Sequence, residues 1–340
     1  MRKYYIDYLR VVLMIGVIIL HVSANNWYGY VETNRWIVFT IYSAICRVAV
    51  PCFFMISGAL FLDDSKKLEY MKFAKNHIIK MIIVLFVWAM FYQVYALDGN
   101  INVFTIRVAI KNVLLGETQT HLWFLYVTIG FYLLVPIIKV YTNSASKNSM
   151  VYTLLIIGMI TIGIDTLSML TGTIPVIVSN NISKMTLSSG KYVFYFLVGH
   201  YIDKYNLPKR PCRILNIVGV IALGLEIYIT VTLSRVNMIP NENWMRYTSI
   251  FVAANAVAVY ACFRNLEVTE PSRLIKNMAN CSMGIYLVHM FWILELWKHN
   301  FTTFSFNAVI SVPVISIIVL TLSWITVFVL KRIPVIRKFV

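Results

Sequence analysis

The chain has 340 residues, 59% of them hydrophobic and 13% charged, with a mean hydropathy of +0.74. A soluble fold of this size has no means of covering so much apolar surface, so composition points to an integral helical membrane protein, a single domain over residues 1–340. The formal charge of +16 is spread through connecting segments rather than clustered, which argues against a nucleic-acid partner and for the basic loops of a bilayer-embedded chain.

Ten hydrophobic segments follow in order, at 8–26, 36–62, 77–97, 121–141, 150–171, 189–203, 213–234, 246–264, 279–298 and 306–331. Each is near the length a helix needs to cross, the second long and the sixth short, and all far exceed a strand. The expected fold class is therefore all-α, a polytopic bundle of about ten transmembrane helices. With the N-terminus inside, the inner connections collect 21 Lys and Arg against 8 outside, with Arg47 in the membrane. That asymmetry makes both termini cytoplasmic. Arg2-Lys3 before the first segment and Val22-Ser23-Ala24 after it imitate a cleavable secretory signal, but the series of spans behind argues for a retained helix. Cys46, Cys52, Cys212, Cys262 and Cys281 lack CxxC spacing and read as small buried hydrophobes. The outer connections, about 98–120 and 165–188, carry Asp98, Asp165, Asn180 and Asn181; they read either as lids or as solvated loops.

Polar side chains inside these segments are costly to place in lipid and mark interior, functional positions. In the first, Arg10 and His21 stand eleven residues apart, on one stripe and about 16 Å apart along the axis. In the second, Arg47 lies some eleven residues deep, and Pro51, lacking an amide hydrogen, predicts a kink and a free Arg47 carbonyl. Arg47, Pro51, Phe54 and Gly58 share a stripe, and Ser57-Gly58 allows close helix approach. Arg47 could instead hold helices together by pairing with an acid such as Glu226. The fourth segment opens with His121-Leu-Trp-Phe-Leu-Tyr126, where Trp123 and Tyr126 suit interfacial anchors and His121 does not. Glu226 and Asn255, inside the seventh and eighth segments, are either members of a site or structural locks. In the ninth, Ser282, Tyr286 and His289 recur at i, i+4 and i+7, with His289 at the depth of His21 as a site residue or helix glue. His77, His200 and His299 read as solvated. No phosphate-cradling Gly loop, HExxH or GxSxG occurs, and a metal on His21 and His289 lacks a third ligand, so none is expected.

These blocks resemble a known family. Arg10 followed by ten residues and His21 is similar to the Arg-x10-His signature of the membrane acyltransferase-3 superfamily. Arg47-Val-Ala-Val-Pro-Cys-Phe-Phe-Met-Ile-Ser-Gly58 resembles its second-helix block, and His121-Leu-Trp-Phe-Leu and Ser282-Met-Gly-Ile-Tyr-Leu-Val-His289 match in the expected order. The nearest likeness is to surface-glycan O-acetyltransferases of the enterobacterial common antigen type. The resemblance implies acetyl-CoA as acyl donor and a hydroxyl of a cell-surface polysaccharide, or of its lipid-linked precursor, as acceptor, in the inner membrane of a bacterium. Related members transfer succinyl groups or form the membrane part of serine racemases, so a succinyltransferase remains an alternative. So does a transporter of a glycan or amino acid, although no paired Gly/Pro-broken spans in matching halves support it.

Within that frame Arg10 and the basic inner rim, including Lys66 and Lys67, attract the phosphate-rich donor. His21 serves as general base or acyl relay. Arg47 is the candidate for stabilising the oxyanion, and Tyr286 or His289 for orienting the acceptor. His121, Trp123, Glu226, Asn255 and Ser282 complete the candidate substrate contacts. A homo-oligomer is left open.

Overall fold

The computed structural model describes residues 3–97, 103–171 and 188–340. Arg2, Asp98, Asn180, Asn181 and Lys184, all used in the sequence reading, lie outside them. Among the described residues all regular structure is helical, as a chain that must satisfy its backbone inside hydrocarbon requires.

Twelve helices occur there: α1 (Tyr4–Ala24), α2 (Asn34–Cys46), α3 (Ala49–Phe61), α4 (Tyr70–Ala96), α5 (Val103–Leu115), α6 (Trp123–Ser144), α7 (Lys147–Thr171), α8 (Val193–Tyr205), α9 (Lys209–Asn237), α10 (Ile250–Asn265), α11 (Arg273–Lys298) and α12 (Ala308–Leu330). Several begin where a short polar side chain takes a free amide of the first turn, as Thr33, Ser146, Ser249, Ser272 and Asn307 do. Counting α2 and α3 as one broken span, nine segments among the described residues are long and apolar enough to cross a membrane.

The sixth predicted span falls short of that. Helix α8 has 13 residues and buries Tyr195 to His200 and Ile202 against the rest of the bundle. It meets α3 backbone to backbone: a Cβ on Gly58 would fall 1.8 Å from the Phe196 carbonyl oxygen, and one on Gly199 2.0 Å from that of Met55. The close approach read from Ser57-Gly58 is thus real, and glycine is required on both sides.

Polar contacts sort the connections to two ends. At one, Lys3 Nζ reaches Asp63 at 3.0 Å and Asp203 at 2.5 Å, Lys204 pairs with Asp64 at 2.7 Å and Arg264 with Asp203 at 3.3 Å. The buried Lys139 donates there to the Phe61 and Asp63 carbonyls. At the other end Asn26 donates to Thr303, Tyr28 to Glu242, and the Ile250 amide to Thr166. Successive spans therefore alternate, and the excess of basic residues at the first end makes it cytoplasmic, with both termini there. Helix α1 runs up the centre, packed on α2, α3, α10, α11 and α12.

Three sequence expectations need correction. The outer connection 98–120 contains α5, hidden from hydropathy by Arg107, Lys111 and Asn112 on a 13-residue helix. His200 is buried rather than solvated, and His77 is half-buried among Phe61, Phe73 and Tyr132; His299 is exposed as expected. The five cysteines are free thiols, four buried and Cys262 half-buried.

Candidate active site

Three imidazoles meet where the last turn of α1, the start of α6 and the outer half of α11 come together. His289 Nε2 lies 3.2 Å from His21 Nδ1, joining residues 268 positions apart. The buried His121 ring stands edge-on to both, with centroids 5.3 Å from His289 and 6.5 Å from His21. Among the described residues neither His121 ring nitrogen makes a well-formed hydrogen bond, although the Leu287 carbonyl lies beside the ring. The Leu287 carbonyl beside it takes the Tyr92 hydroxyl instead, at 2.7 Å. That hydroxyl also accepts from the Phe291 amide, so it sits between two backbone groups that bond each other in an unbroken helix. Tyr92 thereby fixes the turn carrying His289.

Below the imidazoles runs a cavity of about 320 Å³. Arg10 lies at its inner end and His289 at its outer end, and Ala279 to His289 is ten helical steps, about 15 Å. Its walls are mostly apolar, from Met14, Val17 and Ile18 of α1, Phe53 and Ile56 of α3, and Phe124 of α6. Polar groups are few: Ser57, Thr128, Tyr132, Asn280, Ser282 and Tyr286. The i, i+4, i+7 stripe of Ser282, Tyr286 and His289 thus faces one space, and Arg10 shares it. The Ser282 hydroxyl turns back to the Ala279 carbonyl, and the Tyr286 hydroxyl is committed to the His121 carbonyl.

The remaining candidates lie elsewhere. Arg47 occupies the break between α2 and α3, where the interruption expected from Pro51 falls. Its guanidinium is 3.7 Å from Glu242, not paired with Glu226, and 5.7 Å from the Tyr247 ring centre. It remains within electrostatic reach of His21, and its Nε has no hydrogen-bond partner among the described residues. Trp123 is half-buried in an aromatic cluster, stacked on Tyr247 at 5.6 Å, rather than anchoring an interface. Tyr126 gives its hydroxyl to the Val113 carbonyl of α5, at 2.6 Å. Glu226 is fully buried in α9 with both oxygens unpartnered among the described residues, and Asn255 sits at the α9–α10 contact beside Gly219. Lys66 and Lys67 are exposed in the inner loop after α3 and do not line the cavity.

The Acyltransferase domain family matches residues 3–328, nearly the whole chain. The chain belongs to the acyltransferase-3 family. It is a multi-pass membrane acyltransferase. No curated protein and no solved structure matches it. In this acyltransferase the cavity brings in residues that the sequence reading missed. Lys331, counted there only as a cytoplasmic charge, donates at 2.8 Å to the carbonyl of Asn280, which lines the inner mouth; nothing local in the sequence links the two. Thr128 and Tyr132 did have a signal, since with Phe124 they continue the stripe of His121 down the fourth span at helical spacing. Among the described residues, no three His, Cys, Asp or Glu side chains form a group that could hold a metal ion.

Proposed function

We propose that this acyltransferase moves an acetyl group from cytoplasmic acetyl-CoA to a hydroxyl of a cell-surface polysaccharide or its lipid-linked precursor, in the bacterial inner membrane. The observation that carries the reading is the single cavity from Arg10 to His289, with His289 bonded to His21. Its volume and apolar walls suit a slender acyl-thioester arm, while a phosphate-bearing nucleotide belongs at a cationic mouth. Arg10 and Lys331 flank that mouth, with Lys66 and Lys67 on the same inner end, so a polyanion is drawn to the side where coenzyme A resides.

The donor supplies an activated thioester carbonyl. His21 takes the proton of the acceptor hydroxyl as its oxygen bonds that carbonyl carbon; the C–S bond then breaks and the proton passes on to the leaving sulfur. Arg47, beside His21 with an unpartnered Nε, supplies positive charge for the developing oxyanion. Because the donor fills the inner cavity, the acceptor comes from the outer side, past Trp123, Tyr247 and Glu242.

The test uses membranes carrying the full chain, radiolabelled acetyl-CoA and the membrane's own lipid-linked glycans. His21→Ala is expected to lower transfer by about 10²–10⁴-fold while the protein still purifies as a monodisperse species. Transfer that survives the substitution removes His21 from the chemistry. Succinyl-CoA used in place of acetyl-CoA at equal concentration is expected to be the poorer donor.

A further inference from the structure

The hydrogen bonds around His289 fix more than its position. A carbonyl only accepts, so each ring nitrogen facing one must carry hydrogen. The Tyr286 carbonyl is 2.6 Å from His289 Nδ1, and the Val17 carbonyl is 2.9 Å from His21 Nδ1. Both rings therefore hold their proton on Nδ1. Neutral His289 then has a lone pair on Nε2, the atom 3.2 Å from His21 Nδ1, and that lone pair shares the His21 hydrogen with Val17. Moving the His289 proton to Nε2 would set two N–H groups against each other and leave the Tyr286 carbonyl facing a lone pair. One neutral arrangement satisfies all three contacts, and it is assigned here from the partners.

We propose that His289 is a positioning residue that, together with the Val17 carbonyl, locks His21 in its Nδ1–H tautomer, so that Nε2 is the nitrogen presented to the reacting hydroxyl. The inference rests on the reading of His21 as proton acceptor. His21 Nε2 has no protein hydrogen bond among the described residues, and the side chain is only half-buried, so the lone pair is neither spent nor sealed off. The groups facing the pair do not compete for this task. His121, from the start of α6, packs edge-on to both rings; Tyr286 gives its hydroxyl to the His121 carbonyl, and Tyr92 of α4 gives its own to Leu287. Arg47, from the α2–α3 break, is a donor only and is turned to Glu242 and Tyr247.

Two substitutions separate this role from packing. Glutamine at position 289 reaches far enough to place an acceptor oxygen near the site of Nε2, whereas asparagine ends near Nδ1 and leaves His21 without its partner. In nanodiscs holding the full chain with ¹⁵N-labelled histidine, wild type and His289→Gln are expected to show His21 protonated on Nδ1 and bare on Nε2. His289→Asn, which leaves the Val17 carbonyl as the sole acceptor at Nδ1, is expected to populate the Nε2–H form alongside Nδ1–H. In the acetyl-transfer assay His289→Asn lowers kcat in proportion to the Nδ1–H population lost, up to the roughly 10⁴-fold known for loss of a tautomer-fixing partner in a hydrolase triad, with donor KM unchanged. His289→Gln recovers most of that loss. A wild-type His21 carrying its proton on Nε2, or equal kcat in the two variants, overturns the assignment. Survival of transfer in His21→Ala sinks the base reading beneath it, an outcome that leaves the nitrogen shifts untouched and so stays distinguishable.

Discussion

The inner and outer halves of the bundle treat an intramembrane arginine in opposite ways. Arg10 borders open space whose walls are mainly apolar. Arg47 has its guanidinium against a carboxylate and an aromatic ring, in a region dense with polar groups where the described residues line no comparable cavity. There Glu226 and Thr230 are fully buried with side-chain oxygens lacking partners, an arrangement that is costly unless something offsets it. On the proposed reading, the same residue type at a similar price in lipid binds the donor in one half and serves as a fixed electrostatic element in the other. Burial and charge alone do not tell these apart; the space beside the side chain does.

The largest expected effect destroys both halves at once. Helix α3 carries the break at Arg47 on its outer end and the cavity wall at Ser57 on its inner end, and its position depends on contact with α8. Gly199→Leu would drive a Cβ to 2.0 Å from the Met55 carbonyl oxygen, which is backbone and cannot swing aside. A destabilisation of about 3 kcal/mol, the upper end of the usual cost of overpacking, and loss of the monodisperse peak in size-exclusion chromatography are expected. A variant that elutes like wild type would mean that α3 and α8 stand further apart than described.

The next two substitutions test the contrast itself. Arg10→Gln removes the cation at the cavity mouth, and loss of a charged hydrogen bond to the donor is expected to raise donor KM by roughly 10–100-fold with kcat little changed. Arg47→Lys keeps the charge but loses the planar fork, so kcat is expected to fall about tenfold while donor KM stays put. Saturation kinetics in acetyl-CoA measure both. If the two variants show the same pattern, the division between a donor-binding arginine and a charge-stabilising arginine fails.

The sequence carried the spans and much of the site because polar groups inside apolar runs have few reasons to be there. Arg10, His21, Ser282, Tyr286 and His289 were legible as stripes, and the structure brings all five to one cavity or its rim. His121 was visible but ambiguous, since its neighbours Trp123 and Tyr126 look like ordinary anchors until Tyr247 and Val113 are seen to take them. Lys331 was invisible as a site residue because its link to Asn280 spans 51 positions with no pattern between. Glu242 escaped for the complementary reason, being an acid in an outer loop whose proximity to Arg47 depends on how α9 and α10 are joined. The shortness of α8 was visible, but that it is a core helix follows from its glycine contact with α3.

The smallest expected effect isolates the inner half by pH. Burial by itself would raise the Asp63 carboxyl, but hydrogen bonds from the Ser65 hydroxyl and Lys3, with the Ser65 amide, outweigh it and hold Asp63 well below the usual carboxylate range. For Lys3, burial opposes the charged form, yet its bonds to Asp203 and Asp63 raise it above its ordinary value. A depressed carboxylate adds stability that is complete above its unfolded pKa, near 4, and disappears as pH falls through the folded value. A raised lysine adds stability complete below its unfolded pKa and lost only in strong alkali, so the tie is intact across the neutral range. The thermal midpoint of wild type in detergent should therefore exceed that of Asp63→Asn by a constant margin from about pH 5 to 9, and the margin should shrink steadily below about pH 4. The outer contact of Arg47 with Glu242 involves a carboxylate 41% exposed at its side chain, and such a pair contributes about 1 kcal/mol at most. A margin that stays level as the solution is taken from about pH 4 to 2 would show that the Lys3–Asp63 tie does not hold the inner ends together.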